Sequence, residues 1–221
     1  MIDLSKVQKR TTADIARRIV QDIPDGAHVN LGIGQPMTIS NYLPSDKEIL
    51  LHSENGLLGM GPLAKDHEID EELVNAGKQP VTMLPGASLC HHADSFVMIR
   101  GGHIDICVLG AFQVSVKGDI ANWRTGDPKA IPAVGGAMDL ALGAKKLFVM
   151  MEHLTKSGES KLVKECTYPL TALAAVDCVY TDLATIAVTP EGLVAVDWVD
   201  GLSFEALQAL SGVPMIQGFP R

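Results

Sequence analysis

Apolar positions along the chain follow two rhythms. Ile15, Ala16, Ile19, Val20 and Ile23 recur at helical spacing opposite Arg17, Arg18 and Gln21, which predicts an amphipathic helix opened by Thr11-Thr12. Asp14 stands three residues after Thr11, a variant of the capping box, and Pro24-Asp25-Gly26 ends the helix. The rhythm then changes. Ala27, Val29, Leu31 and Ile33 alternate with polar or small residues, predicting a strand. Gly32-Ile33-Gly34-Gln35-Pro36 turns the chain into a short helix through Leu43, with Pro36 suited to its first position.

A second strand is expected over residues 48–53 and a helix over 70–76, ended by Gly77. Further strands are expected over 81–84, 104–109, 147–151, 176–181, 185–189 and 193–199. The runs 104–109 and 147–151 are almost continuously apolar, as in strands covered on both faces. A last helix starts at Ser203, runs through Phe204, Leu207 and Leu210, and stops at Gly212. This order indicates an α/β fold: an open, largely parallel sheet with flanking helices and antiparallel strands near the C-terminus. One domain over residues 1–221 is expected, without internal repeat or linker.

Composition narrows the picture. The 221 residues are 47% hydrophobic and 20% charged, enough for one large core, and only 5% are aromatic, which suits helices packed closely on a sheet. The net charge of −8, with no basic run, argues against a nucleic-acid partner. Cys90, Cys107, Cys166 and Cys178 are scattered and read as reduced thiols in a cytoplasmic protein. Residues 1–6 lack the apolar core of a leader peptide. The most apolar long stretch, 169–190, carries Asp177 and Asp182, each costing ~2.5–3.5 kcal/mol at a bilayer centre, so no membrane span is expected.

The candidate chemistry begins where the apolar run 49–51 stops at Ser53-Glu54-Asn55-Gly56, followed by Gly59 and Gly61. This places Glu54 at the end of a buried strand, facing a glycine-rich loop. A lone acid there reads as a solvated turn residue, and only its surroundings suggest more. Gly32-x-Gly34 offers backbone N–H groups to an anion or a developing oxyanion. It lacks the third glycine of a dinucleotide fingerprint and the Lys of a P-loop, and taken alone it is equally a tight turn. Gly135-Gly136 and Gly101-Gly102-His103 are further glycine turns, each ordinary by itself. Together with Glu54 they suggest one glycine-lined crevice.

Cys90-His91-His92-x-Asp94 has no zinc spacing and is expected to be a polar loop, with no metal site. His103 and His153 are candidate general bases, but no Ser or Cys stands in a nucleophile-elbow context. Glu152-His153, after an expected strand, reads as a site wall.

These residues also resemble a known family. Ser53-Glu54-Asn55-Gly56 is similar to the active-site motif of the family I coenzyme A transferases, in their β subunit. Matching blocks run along nearly the whole chain. They include Val29-Asn30-Leu31-Gly32-Ile33-Gly34, Asn75-Ala76-Gly77, Arg100-Gly101-Gly102-His103-Ile104-Asp105 and Gly118-Asp119-Ile120-Ala121-Asn122-Trp123. Gly135-Gly136-Ala137-Met138-Asp139-Leu140 and Met151-Glu152-His153 extend the match. Residues 91–96, 111–118, 158–163 and 166–171 further resemble members that act on 3-oxoadipate.

The resemblance implies the sheet fold shared with sugar-phosphate isomerases. It implies transfer of coenzyme A from succinyl-CoA to 3-oxoadipate, a step in aromatic acid catabolism (the β-ketoadipate pathway), through a covalent glutamyl-CoA thioester. Glu54 is then the nucleophile, and Gly32, Ile33, Gly34, Asn55, Gly135 and Gly136 bind the coenzyme A substrate. No metal or organic cofactor is implied, since the coenzyme A thioester is a substrate. The α subunit of a coenzyme A transferase is the implied partner, in an α2β2 assembly. Glu54 must ionise to attack, so its pKa is expected to be little raised. Arg100, Lys117 and Arg124 are the candidate cations for the acceptor's remote carboxylate. Alternatives are acetoacetate or another short 3-oxoacid as acceptor, a thioester hydrolase, and a non-catalytic effector-binding domain on the same fold.

Overall fold

The computed structural model describes residues 7–218 except 128 and 130, so the leader-peptide expectation for residues 1–6 lies outside the described residues. The chain opens with α1 (Thr12–Gln21), β1 (His28–Leu31), a 3-10 helix (Gln35–Tyr42), β2 (Leu50–Ser53), β3 (Leu57–Leu63) and β4 (Val81–Leu89). It continues through α2 (His92–Arg100), β5 (Ile106–Leu109), β6 (Gln113–Ser115), β7 (Ile120–Ala121), α3 (Ala137–Gly143) and β8 (Lys146–Met150). The last elements are β9 (Leu162–Val163), β10 (Val176–Tyr180), β11 (Ala184–Thr189), β12 (Gly192–Trp198), α4 (Phe204–Ser211) and β13 (Met215–Gln217).

The main sheet has ten strands in the order β13-β12-β11-β10-β8-β5-β1-β2-β3-β4, and β7-β6-β9 form a small second sheet. Neighbours from β10 through β8, β5 and β1 to β2 are parallel. The expected antiparallel strands lie on the C-terminal side, β10 to β12. A second antiparallel extension, β2-β3-β4, lies at the opposite side.

Local chemistry explains the first helix. The Thr11 hydroxyl accepts the Asp14 N–H, and the Asp14 carboxylate accepts the Thr11 N–H at 2.9 Å, a reciprocal cap. The central strands are covered on both faces. Cys107 and Leu109 of β5 join one apolar cluster, with α2 and α3, while Ile106 and Val108 join the other, with α1. β8 divides in the same way, Leu147 and Val149 against Phe148 and Met150, which is why both strands read as unbroken apolar runs.

Three expectations fail for physical reasons. Residues 70–76 do not form a helix: the Asp70 carboxylate accepts the Glu72 N–H at 2.9 Å, and Val74 bridges to Pro80. The segment after Gly56 is strand β3, not a glycine loop. Gly59, at φ +83°, would place a Cβ 2.9 Å from Ala87 on β4, so the glycine marks an irregularity where two strands approach closely. Residues 90–94 are not a polar loop but the start of α2, where His91 Nδ1 accepts the Ala93 N–H.

Topology places the crevice. The chain leaves β1 for β2 on one side and returns to β5 on the other, so the carboxyl ends of β1 and β5 part at a topological switch point. Gly32 follows β1 there, Glu54 follows β2, Gly110 follows β5 and Met151 follows β8. Gly101-Gly102 instead ends α2 and leads into β5, at the amino end of the sheet, so this third glycine turn is not part of the crevice.

At that amino end Asp105 ties three segments together. Its carboxylate accepts the His28 N–H at 2.8 Å and the Lys145 ammonium at 2.7 Å. The His28 N–H and then Lys145 hold its pKa down to about 2, from 3.8. A depressed carboxyl stabilises above its unfolded pKa, and this contribution is lost as pH falls from 3.8 through about 2. Asp105→Asn should therefore cost roughly 1–2 kcal/mol at neutral pH, after allowance for solvent screening. Thermal melts of both proteins across pH should show that difference closing below about pH 4; a constant gap down to pH 2 counts against it.

Candidate active site

Glu54 sits in a three-residue loop, since Ser53 pairs with Leu57 across the β2–β3 hairpin. Gly56 closes the loop at φ +110°, and a Cβ there would lie 2.2 Å from the Cys90 carbonyl oxygen. Only glycine meets both demands. Each residue of the loop is held from outside. The Ala76 N–H donates to the Ser53 hydroxyl at 3.0 Å, and the Asn55 amide donates to the Val74 carbonyl at 2.8 Å. The Ser95 hydroxyl, on the first turn of α2, donates to the Glu54 carbonyl, and the Cys90 N–H donates to the Gly56 carbonyl.

Beneath the loop lies a buried polar group of three residues. The Asn30 amide donates to the His52 carbonyl at 3.2 Å and meets His52 Nδ1 at 3.0 Å, while the Cys107 thiol faces the Asn30 carbonyl oxygen. Burial pushes the Cys107 thiol far above its ordinary pKa, and the charge of Glu54 adds to the effect. Burial also lowers the His52 pKa, so the imidazole is neutral at pH 7.

Glu54 shares this setting. Burial raises its pKa above 4.5, with His92 acting in the opposite sense. The expectation of a little-raised value is corrected in direction: two flanking elements and the hairpin remove water from the carboxylate, and no Lys or Arg contributes to its shift.

The carboxylate borders a cavity of about 390 Å³ at the switch point. Of the residues singled out in the sequence, Glu54, Gly32, Ile33, Gly135 and Gly136 line it. Gly34 stands behind the wall, its φ of +95° turning the chain there. Asn55 is exposed and directed to Val74 instead of the cavity. Gly32 lets β1 approach β5, since a Cβ there would lie 2.8 Å from the Leu109 side chain. Its own N–H already donates to the Val108 carbonyl at 2.8 Å. The next two amides, of Ile33 and Gly34, have no hydrogen-bond acceptor among the described residues. Gly136 packs under Phe96, where a Cβ would come within 2.6 Å of the ring and 3.7 Å of the Glu54 carboxylate. Any side chain at 136 would push the ring or fill the space before the acid.

Several wall residues carry little signal in the sequence. Gln35, Phe112, Asn122 and Lys161 line the cavity, the last three brought in by the small sheet that covers one side. Glu152 does line it, as a strand-end wall residue. Burial, then the charge of Asp182, raises its pKa. His153 is fully buried instead, bonded to Thr181 at 3.0 Å and Ser211 at 2.9 Å. Burial lowers its pKa to about 4, so it is a neutral packing group and not a base. His103 lies by the Gly101 turn at the amino end. Arg100 is engaged by Asp139 at 2.8 Å, Lys117 borders a separate groove by β13, and Arg124 does not line the cavity. Among the described residues no group of three or more His, Cys, Asp or Glu is placed to hold a metal ion.

Known proteins resemble this chain over most of its length. The family model described as coenzyme A transferase matches residues 12–200. The B-type subunit of the 3-oxoadipate CoA-transferase of Pseudomonas putida is 62% identical over 210 residues, covering 95% of this chain and 98% of that protein. The B-type subunit of a probable succinyl-CoA:3-ketoacid coenzyme A transferase of Bacillus subtilis is 45% identical, over 89% of this chain and 91% of its own. In the solved structure of an acyl-CoA transferase apoenzyme from Escherichia coli O157:H7, 95% of this chain superposes with a TM-score of 0.75 at 16% identity. The chain spans 42% of that longer protein, and the likeness bears on fold alone.

The buried carboxyl generates a stability prediction with a definite sign. A carboxyl whose pKa is raised on folding favours the folded state below its unfolded pKa, near 4.5, and that contribution is lost as pH rises through the folded value. Ionised Glu54 therefore destabilises the fold at neutral pH. Glu54→Gln should melt higher than the parent at pH 7, and the difference should vanish near pH 4. Equal melting temperatures across the whole pH series would contradict the burial of a charged Glu54.

Proposed function

The chain belongs to the coenzyme A transferase family, and from that footing we propose that it moves coenzyme A from succinyl-CoA to 3-oxoadipate with Glu54 as nucleophile. The observation that carries this reading is one carboxylate, pinned in a hairpin loop at the rim of the switch-point cavity. The acceptor rests on the 62% identity to a relative named for 3-oxoadipate, against 45% to one named for 3-ketoacids.

The chemistry follows from that carboxylate. Ionised Glu54 attacks the carbonyl of succinyl-CoA, giving a mixed anhydride and coenzyme A thiolate. The thiolate then attacks the glutamyl carbonyl and succinate departs, leaving Glu54 as a coenzyme A thioester. 3-Oxoadipate attacks this thioester and the two steps run in reverse, releasing 3-oxoadipyl-CoA and free Glu54. Two easier exchanges replace one difficult exchange, and the kinetics are ping-pong. Atoms and charge balance without a metal or organic cofactor.

Each tetrahedral oxyanion needs donors already in place, and one such donor is worth ~3–4 kcal/mol. The Ile33 and Gly34 amides, beside the glycines at 135 and 136, are the assigned donors. Gly32 lines the pocket but spends its N–H on the sheet. Asn55 supports the loop and does not touch substrate. The raised pKa of Glu54 makes its carboxylate a more reactive nucleophile once ionised, at the expense of activity at low pH.

The relatives are named as one subunit of two. This supports a partner α subunit, proposed as α2β2, with this chain as its single B-type domain. Exposed Ile33 at the cavity and exposed Leu84 and Leu89 on β4 are apolar surface that such a partner would cover. No described helix is long and apolar enough to cross a membrane. The four free cysteines fit a reducing cytoplasm.

Two measurements test the mechanism. Succinyl-CoA added to the assembled enzyme should increase the mass of this chain by coenzyme A less one water, and Glu54→Gln should carry no adduct. Glu54→Asp withdraws the nucleophile by about one methylene, which should lower turnover ~10²-fold. Full exchange by Glu54→Ala would remove Glu54 from the mechanism. The purified chain alone should be inactive and gain activity on adding the α subunit; full activity of the lone chain overturns the two-subunit reading.

A further inference from the structure

Both acids in this exchange carry a second carboxylate that does not react, and the cavity must find it a partner. Of the cations expected from the sequence, none reaches the cavity: Arg100 is engaged by Asp139, and Lys117 borders another groove. Lys161 does reach it, and among the described residues it is the only Lys or Arg in the cavity lining. Its backbone is fixed on both sides, its N–H donating to the His153 carbonyl at 3.1 Å and its carbonyl accepting the Val114 N–H at 3.0 Å. None of the ion pairs among the described residues includes its ammonium.

We propose that Lys161 selects dicarboxylic acids, its ammonium pairing with the carboxylate remote from the one that attacks Glu54. The inference rests on the coenzyme A exchange assigned above and adds the residue that chooses the acid.

The electrostatics are consistent with a cation held for a ligand. Burial disfavours the ammonium, while Glu152 and Asp182 favour it. Asp182 is already taken by Lys9 at 2.9 Å, and Glu152 shares the cavity with Lys161 without forming an ion pair with it. A dicarboxylate would supply the close partner that the resting site lacks, in a setting that strengthens a charge-assisted bond. Lysine also suits the two substrates. The remote carboxylate of 3-oxoadipate lies two carbons farther from the reacting end than that of succinate. A compact charge on a flexible four-carbon stem adjusts to both, where a rigid guanidinium fork favours one geometry.

The test uses the complete complex with its α subunit. In a ping-pong scheme kcat/KM for an acid reports only the steps that start with that acid, so acceptors can be compared directly. The quantity read is kcat/KM for 3-oxoadipate divided by that for acetoacetate, which lacks a second carboxylate. Lys161→Gln and Lys161→Met, which keeps the apolar stem, should each lower this ratio roughly 10- to 100-fold, the worth of a hydrogen bond to a charged group. Lys161→Arg should restore much of it. The ratio for succinyl-CoA over acetoacetyl-CoA as donors should fall in parallel.

Equal losses for both acids would overturn the proposal, because they would place Lys161 against coenzyme A or in the fold. An unchanged ratio would overturn it as well. Should the parent complex itself show no preference for 3-oxoadipate, the acceptor reading fails. The two donors then still decide the role of Lys161.

Discussion

Everything at this site depends on holding one negative charge where the protein makes charge unfavourable. Glu54 has to be ionised to act and partly dry to act well, and burial alone would let it move or take up a proton. The answer is mechanical. The loop is too short to flex, Gly56 admits no other residue, and hydrogen bonds from or to Ser95, Ala76, Val74 and Cys90 hold it from two sides. The irregular segment around Asn75 serves the same end. Its buried side-chain oxygen accepts the N–H groups of Gly77 and Gln79, which fixes the neighbouring residues that hold the loop.

The rest of the fold supplies the space in front of that charge. Parallel strands whose carboxyl ends separate at β1 and β5 make a crevice without any special residue. Gly32 and Gly136 then decide how tightly its walls close, one by letting strands meet and the other by lying under Phe96. His92 stacks on that ring at 5.1 Å, so the wall beside the nucleophile is a continuous layer from β2 to α3.

Much of this is legible in the chain, and the remainder is hidden for identifiable reasons. α1, β5, β8 and α4 announce themselves through periodicity and caps, and Glu54 through an acid interrupting an apolar strand. β3 is disguised because Gly59 and Gly61 look like loop residues, although here they permit strand contact. α2 is disguised because its apolar residues do not form a clean stripe: Ile99 is buried while Val97 is exposed. His153 resembles a base by type and position, and only its burial between Thr181 and Ser211 shows otherwise. Lys161 has no signal at all. It reaches the cavity of Glu54 through the pairing of β9 with β6, a long-range event that no local pattern encodes.

The supports of the nucleophile and the far wall of the cavity come from different parts of the chain. Ser95, Ala76 and Cys90 hold Glu54 and are absent from the cavity lining, whereas Phe112, Asn122 and Lys161 line it and leave the loop untouched. Inheritance can therefore act on the two separately. Descendants of one ancestral exchanger can retain the same reacting apparatus intact and drift toward new carbon skeletons by altering a single small sheet, with each intermediate still turning over. A division of that kind allows a lineage to diversify its diet without first losing its chemistry.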